Sequence, residues 1–349
     1  MSEGTAESTG TSSTLQTYFR TRVRSLTITA TVLLFIFTAL SLPARHWWVS
    51  DICANLRIQW WVGLIVVAGL SALQRRRKLF VAIIFALGIH AYYLPPAFRS
   101  VTGDRATPVI RVATANVLTS NRRYDDIEKE LLNTNADVIA VLELSDGLRT
   151  HLSGAFAEQY PFTRNSPQDN GNFGIGLYSR IPFEEAKLDH FNDQRIQSVI
   201  AKVNRDGRTF RIIATHTLPP MGPGAFSHRN RHLQLLAKHV NQERIDHPET
   251  PVIVVGDLNI TPWSPVFRDF LKSSKLTSAP HGLTPTWYRF PFFPFGLVLD
   301  HVLATGDLIP CEYTVSPDVG SDHRFVTAAF KVAASEMAAS ATRGRKKEE

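Results

Sequence analysis

Eight polar residues stand in, or at the ends of, apolar strand-like runs: Asn116, Glu143, His216, Asp257, Asn259, Asp300, Asp322 and His323. Four are carboxylates, two are imidazoles and two are amides. Carboxylate and amide oxygens are the donors that hard divalent cations such as Mg²⁺ or Mn²⁺ take. A carboxylate beside a histidine fixes the ring's tautomer and raises its pKa. Each residue alone has a structural explanation, as a turn cap, a surface acid or a core histidine. Together they argue for one convergent site.

The elements that must position them are short. Val252 to Val255 reads as a strand buried on both faces, ended by Gly256. Asp257 and Asn259 follow one residue apart, so in an extended chain they leave the strand end on the same side. Ser264 and Pro265 then make a helix start, N-cap followed by first helical residue. Upstream, 109–117 is strand-like with Asn116 near its end. Tyr124, Ile127 and Leu131 recur at helical spacing, and 137–142 is the next strand, with Glu143 at its end. This strand, helix, strand order is a βαβ-like unit. If its strands are parallel neighbours, Asn116 and Glu143 share one end. Further strands are expected at 174–179, 198–203, 209–215, 297–304 and 325–331, with a helix over 227–244 and a hairpin turn at Asn204-Arg-Asp-Gly207. His216 ends the 209–215 strand, Asp300 lies in the 297–304 strand, and Asp322-His323 precedes the last.

The chain has 349 residues, enough for one large domain plus an appendage. Its formal net charge is +7, but much of the excess sits beside apolar runs and in the last residues, which is weak evidence for a nucleic-acid partner. Two cysteines, Cys53 and Cys311, form no CxxC and give no zinc, redox or disulfide framework. Three apolar runs, 26–44, 58–73 and 79–96, mark 26–97 as a membrane region of three helices. Trp47, Trp48, Trp60 and Trp61 fall where interfacial aromatics belong, and several spans favour an anchor over a signal peptide. Arg75-Arg-Arg-Lys78 and Arg20, Arg22 and Arg24 should stay cytoplasmic. Three spans then put the large domain on the periplasmic, or extracytoplasmic, side of a plasma membrane. One span fewer would reverse it. Residues 1–25 are expected to be a disordered cytoplasmic tail, 97–108 a linker and 333–349 a disordered basic tail.

The motifs Ala115-Asn-Val117, Val141-Leu-Glu-Leu144, Gly176-Leu-Tyr-Ser-Arg180, Thr215-His216, Gly256-Asp-Leu-Asn259, Leu299-Asp-His-Val302 and Ser321-Asp-His323 occur in that order. On them the chain resembles the endonuclease/exonuclease/phosphatase (DNase I-like) superfamily over 108–332. The N-terminal spans resemble a membrane-anchored bacterial subgroup. The resemblance implies a four-layer α/β sandwich, preceded here by three transmembrane helices, and Mg²⁺- or Mn²⁺-dependent hydrolysis of a phosphodiester or phosphomonoester. It implies Glu143 as the metal ligand with Asn116 beside it, and Asp322 holding a second metal or its water. It makes Asp257, helped by Asn259, the group that orients and deprotonates water. His323, held by Asp300, and His216 would serve the phosphate. Tyr178 and Asn172 are the candidates for a further tyrosine or asparagine near it.

Rival readings separate on residues. A calcineurin-like phosphatase needs an early Asp-x-His and a Gly-Asn-His, and neither occurs. His228 and His232 lie four apart on a helix, but Arg229 stands where a zinc protease has its glutamate. The arginines around them read as a solvated basic face. A non-catalytic membrane scaffold gives no reason to keep all eight polar residues. For substrate, Trp287-Tyr-Arg-Phe-Pro-Phe-Phe-Pro-Phe295 precedes Asp300 and reads as an interfacial loop, which favours a membrane-derived phosphoester. A nuclease acting on DNA or RNA is the alternative.

Overall fold

The protein is seen here as a computed structural model, which describes residues 8–94, 108–193, 195–288 and 296–332. It divides into two compact units, Met1–Leu94 and Pro95–Glu349. The expected 97–108 linker (but for its last residue), most of the aromatic loop (289–295) and the 333–349 tail lie outside the described residues.

In the first unit, α1 runs Ser8–Leu40, α2 Trp48–Asn55, α3 Arg57–Leu73 and α4 Arg77–Tyr93. The described part of α1 thus begins at Ser8, and most of the segment expected to be disordered is helical. Its threonines turn inward on the backbone: Thr21 and Thr27 donate to carbonyls four residues earlier, at 2.9 and 2.8 Å. The three apolar runs all form helices, but they are not three equal spans. Among the described residues only Gln16–Leu40 is long and apolar enough alone, at 25 residues or roughly 37 Å. The second run is bent by 63° from α2, and the pair qualifies only if counted as one broken span. Helix α4, with 17 residues, is roughly 25 Å long against a hydrocarbon core of about 30 Å.

This unit carries its polarity on the inside. Leu33, Ile36, Val66, Val81 and Phe85 are exposed, whereas Arg57, Asp51 and His90 are fully buried. Arg57 donates to the Ser41 carbonyl at 3.0 Å and lies 3.8 Å from the Tyr93 ring centroid, and His90 pairs with Thr38 at 3.0 Å.

The second unit contains β1 (Ile110–Asn116), α5 (Tyr124–Asn133), β2 (Val138–Leu142), α6 (Asp146–Ala155), β3 (Phe162–Ser166), β4 (Ile175–Ser179), β5 (Phe183–Asp189), β6 (Ser198–Arg205) and β7 (Arg208–Ala214). Then follow α7 (Pro223–Asp246), β8 (Val252–Asp257), α8 (Pro265–Ser274), β9 (Leu276–Ser278), β10 (Trp287–Tyr288), β11 (Gly296–Leu297), β12 (Asp300–Thr305), β13 (Leu308–Val315) and β14 (Val326–Val332). Two six-stranded sheets result, ordered β13-β14-β1-β2-β4-β3 and β5-β6-β7-β8-β12-β9, beside a two-stranded ribbon β10-β11. Each large sheet has one parallel pair at its middle, β1 with β2 and β7 with β8. The 297–304 stretch, expected as one strand, divides into β11 and β12.

Alternation along the strands sorts residues into layers. Ile110 and Val112 of β1, Val138, Ala140 and Leu142 of β2, Ile253 and Val255 of β8, and Val302 and Ala304 of β12 meet between the sheets. The intervening Ala113 and Ala115 pack outward with Ile127 and Leu131 of α5 and Leu148 and Leu152 of α6. On the far sheet Val252, Val254 and Leu303 meet Leu233, Leu236 and Val240 of α7 and Phe267 of α8. The order is helix, sheet, sheet, helix: the expected four layers. Local signals behave as expected too. Ser264 caps α8 by accepting from Val266 N, Pro265 opens it, and Asp206 and Gly207 turn the β6–β7 hairpin with φ of 53° and 81°.

Candidate active site

The alternation that builds the inter-sheet core also aims the site. Asn116 continues the inward set of β1, His216 that of β7 and Asp257 that of β8, while Asp300 begins that of β12. In β12 and β8, Asp300 and Asp257 are register partners. All four side chains therefore emerge at one end of the inter-sheet layer, from β1 of one sheet and from β7, β8 and β12 of the other.

Asp257 is the hub, with 1% of its surface exposed. Its Oδ2 lies 3.4 Å from His216 Nε2, 3.6 Å from His323 Nε2 and 3.3 Å from Asn116 Nδ2. Asn116 also donates to Glu143 Oε1 at 3.0 Å, so two carboxylates from different sheets converge on one amide. Glu143 should by parity face outward with Val141. It does not, because its φ is 57°, the left-handed region that few non-glycine residues occupy. Thr119 holds the turned carboxylate by donating its N–H to Oε2 at 3.2 Å.

Asn259 reaches the site by a different route from the extended alternation expected of it. Its φ is 48°, and its own N–H donates to Asp257 Oδ1 at 2.8 Å. This Asx-type turn swings its amide to the Thr217 carbonyl at 2.8 Å and to His216 Nε2 at 3.4 Å. Gly256 makes the close approach to β7 that this needs. A Cβ there would lie 1.8 Å from the Thr215 carbonyl oxygen, and φ is 149°.

Asp300 Oδ2 accepts from His323 Nδ1 at 2.8 Å, as the Asp–His pairing expected. Burial opposes charge on His323, but Asp300 and then Asp257 outweigh it and push the pKa up to about 10. Burial likewise opposes charge on His216, and the bond and field of Asp257 reverse that, raising its pKa. Burial would raise the Asp257 pKa, but the two imidazoles and the Asn259 N–H pull it below the ordinary carboxylate range. Burial raises that of Asp300 against the pull of His323. At neutral pH the site thus holds an ionised Asp257 beside a protonated His323 and a His216 whose hold on its proton is strengthened.

Asp322 stands apart. It is exposed, and its Oδ2 accepts from Trp287 Nε1 at 2.9 Å. Tyr178 lies on the outer face of its sheet against Phe156, far from the inward set, so it is a core residue. Asn172 is exposed next to Phe173, whose ring centroid lies 5.2 Å from that of His216. The α7 basic face is not solvated. Arg229 and His232 are fully buried, Arg229 donates to the Asn259 carbonyl at 3.0 Å, and His232 Nε2 bonds Thr215 Oγ1 at 2.8 Å. Counting back from Leu233 by four and by seven gives Arg229 and Phe226, both on the buried stripe, and that count would have found them.

The donor set suits a hard cation. Glu143 Oε1 and Asp257 Oδ2 converge on the Asn116 amide group, whose own oxygen accepts from Leu118 N, and one oxygen or nitrogen each of Asp257, Asp300 and His323 lie within 4.8 Å of one another. Within this set Asp300 and His323 are engaged with each other, and Glu143 with the Asn116 amide and the Thr119 N–H.

Two histidines outside the polar cluster give a pH expectation. Burial holds His232 neutral, its pKa lowered to about 3, and His301, stacked on Phe267, neutral at about 4. Both take up protons below about 6.5 in the unfolded chain. Their contribution to stability is therefore complete above about 6.5 and is lost as pH falls toward these lowered values, by roughly 1.4 kcal/mol per pH unit for each. His232→Asn and His301→Asn should each flatten the acid side of a Tm-versus-pH curve. Slopes identical to wild type would refute this.

The model of the family described as Endonuclease/Exonuclease/phosphatase family matches residues 113–323. A Phospholipase C of Staphylococcus aureus is 27% identical over 127 residues, covering 33% of this chain and 38% of that protein. The chain thus spans well under two thirds of that relative. The catalytic domain of human Nocturnin with bound sulfate superposes with a TM-score of 0.54 at 20% identity, over 65% of this chain and 96% of that one. Sphingomyelinase C from Streptomyces griseocarneus gives 0.52 at 18% identity, over 64% and 100%. At these identities the superpositions speak for the fold, and the family match spans most of the second unit. With the site's motifs in their expected order along that fold, the chain belongs to the endonuclease/exonuclease/phosphatase family.

Proposed function

We propose that the chain is a membrane-anchored, Mg²⁺- or Mn²⁺-dependent phosphodiesterase acting on a membrane-derived phosphoester. The observation that carries the hydrolytic reading is Asp257: a buried, ionised carboxylate within 3.6 Å of two histidines. Glu143 and Asn116 would hold the cation, which when bound supplies positive charge to the phosphoryl oxygens. Asp257 takes the proton of the attacking water: the neighbouring imidazoles keep it ionised and its Oδ1 is fixed by Asn259. His216 and His323 donate Nε2–H bonds to phosphoryl oxygens as negative charge builds on them. Asp300 keeps the His323 ring oriented and charged through Nδ1–H. Asn259 holds the Asp257 carboxylate and the 217 carbonyl in register.

Anchoring rests on α1 and on the first unit's exposed apolar and buried polar side chains, the reverse of a water-soluble bundle. Arg20, Arg22 and Arg24 before the apolar run would keep its start cytoplasmic, and an odd number of crossings, one by α1 alone or three, would put the catalytic unit outside. A lipid headgroup is favoured by that anchor, by the aromatic sequence 287–295, and by the similarity to a protein named Phospholipase C.

The test takes carbonate-washed membranes from expressing cells and the detergent-solubilised full chain. The protein should stay with the membranes, and a reporter fused after residue 332 that works only in the cytoplasm should be silent. Solubilised protein should cut phosphatidylcholine or sphingomyelin in vesicles with Mg²⁺ and stop in EDTA. Salt-sensitive cutting of DNA or RNA with no lipid turnover would replace this reading with the nuclease one, and full activity in EDTA would remove the metal.

A further inference from the structure

Asp300 and His323 come from different segments, the start of β12 and the turn before β14, and one short stretch touches both. Thr286 is fully buried. Its Oγ1 accepts the N–H groups of Leu299 and Asp300, both at 3.0 Å. Its own carbonyl accepts Arg324 N at 2.6 Å, and its N–H donates to the Leu297 carbonyl at 2.8 Å. Next to it Trp287 bridges His323 antiparallel, its indole N–H binds Asp322, and Tyr288 N donates to the Asp322 carbonyl at 2.9 Å. The Arg324 guanidinium lies 5.0 Å from the Tyr288 ring centroid. The residues that open the β10–β11 ribbon are therefore bonded to the backbone on both sides of the Asp300–His323 pair.

We propose that Thr286 is a positioning residue for the Asp300–His323 pair, setting the orientation in which His323 meets the substrate phosphate. The proposal rests on the phosphoesterase reading above. A hydroxyl oxygen that accepts two N–H bonds still has its hydrogen to give. Asp300 Oδ1 is buried with no hydrogen-bond partner, and the Thr286 hydroxyl bears on that carboxylate, helping to keep it ionised. Removing the hydroxyl leaves two buried N–H groups without an acceptor and frees Asp300 at its root. The effect reaches substrate only through the angle of the His323 ring, so it falls on turnover rather than on binding.

The test compares Thr286→Val, Thr286→Ser and Thr286→Cys in the full chain, using bis(4-nitrophenyl) phosphate with saturating Mg²⁺ as probe. The Nδ1–H proton of His323, identified by its loss in His323→Asn, is read in parallel by NMR. Thr286→Val should lower kcat by about 10- to 100-fold with KM within about twofold, and Thr286→Ser should restore it to within about threefold. The Nδ1–H resonance should shift or broaden in the valine variant and return in the serine one. Should valine prevent folding, cysteine, of similar size and a weak acceptor, takes its place. An unchanged resonance in the valine or cysteine variant, or a serine variant as impaired as either, overturns the proposal. A wild type that hydrolyses no phosphodiester overturns the functional reading instead, and the resonance still decides the positioning.

Discussion

Asp257→Asn is expected to lower kcat by roughly 10³ while leaving the fold intact. The substitution keeps the shape of a side chain whose Oδ1 accepts from Asn259 and whose Oδ2 faces Asn116. It removes the charge, and with it both the acceptor for a water proton and the counter-charge of two imidazoles. His216 and His323 owe part of their raised pKa values to Asp257, so both hold their protons less tightly in the variant. Base and phosphate donors thus fail together, which is why the effect should exceed that of His216→Ala or Asn259→Ala. Turnover of a soluble phosphodiester at saturating Mg²⁺, beside a thermal melt, measures it. A variant within tenfold of wild type would move the base elsewhere.

The second large effect is on stability. Gly256→Ala should cost on the order of 3–5 kcal/mol, because the new methyl meets the Thr215 carbonyl and not a side chain that can rotate away. The backbone conformation, φ 149°, adds its own strain. Relief would require β8 to part from β7 where Thr215 N pairs with the Val255 carbonyl and Thr217 N with that of Asp257. Gly306→Ala, with nothing within 4 Å of its Cβ, is the control and should be near neutral. Urea unfolding of both variants decides it, and similar midpoints would show that the strands separate easily.

Strands buried on both faces were legible, since β2 and β8 are unbroken apolar runs and α5 has helical spacing. Edge strands were not. β3 (FTRNS) and β5 (FEEAKLD) are half exposed and polar, and β13 carries Pro310 at a register shift. The layering came from family motifs, because no period in the sequence says which sheet a strand joins. In the site, parity alone put Asn116, His216, Asp257 and Asp300 on the inner face. Glu143 and Asn259 lie where parity fails, and left-handed backbone at non-glycine residues leaves no mark in composition. Asp322 had the motif but not the direction. Thr286, a lone threonine in a connecting segment, gave no signal at all.

The first and last strands of the sandwich are neighbours: Ile110 to Thr114 of β1 pair with Phe330 to Val326 of β14. Ser321 reaches back across 205 residues of chain to the Asn116 carbonyl at 2.8 Å. A ribosome makes these partners at opposite ends of the unit's synthesis. Until the last strand emerges, β1 has an open edge and Asp257 lacks one of its two imidazoles, so chains stalled before residue 320 should hydrolyse nothing in the soluble-substrate assay. The N-terminal helix is out long before that. On the proposed reading the molecule reaches its membrane while still harmless to lipid, and arms itself only once residues 321–332 have emerged and docked.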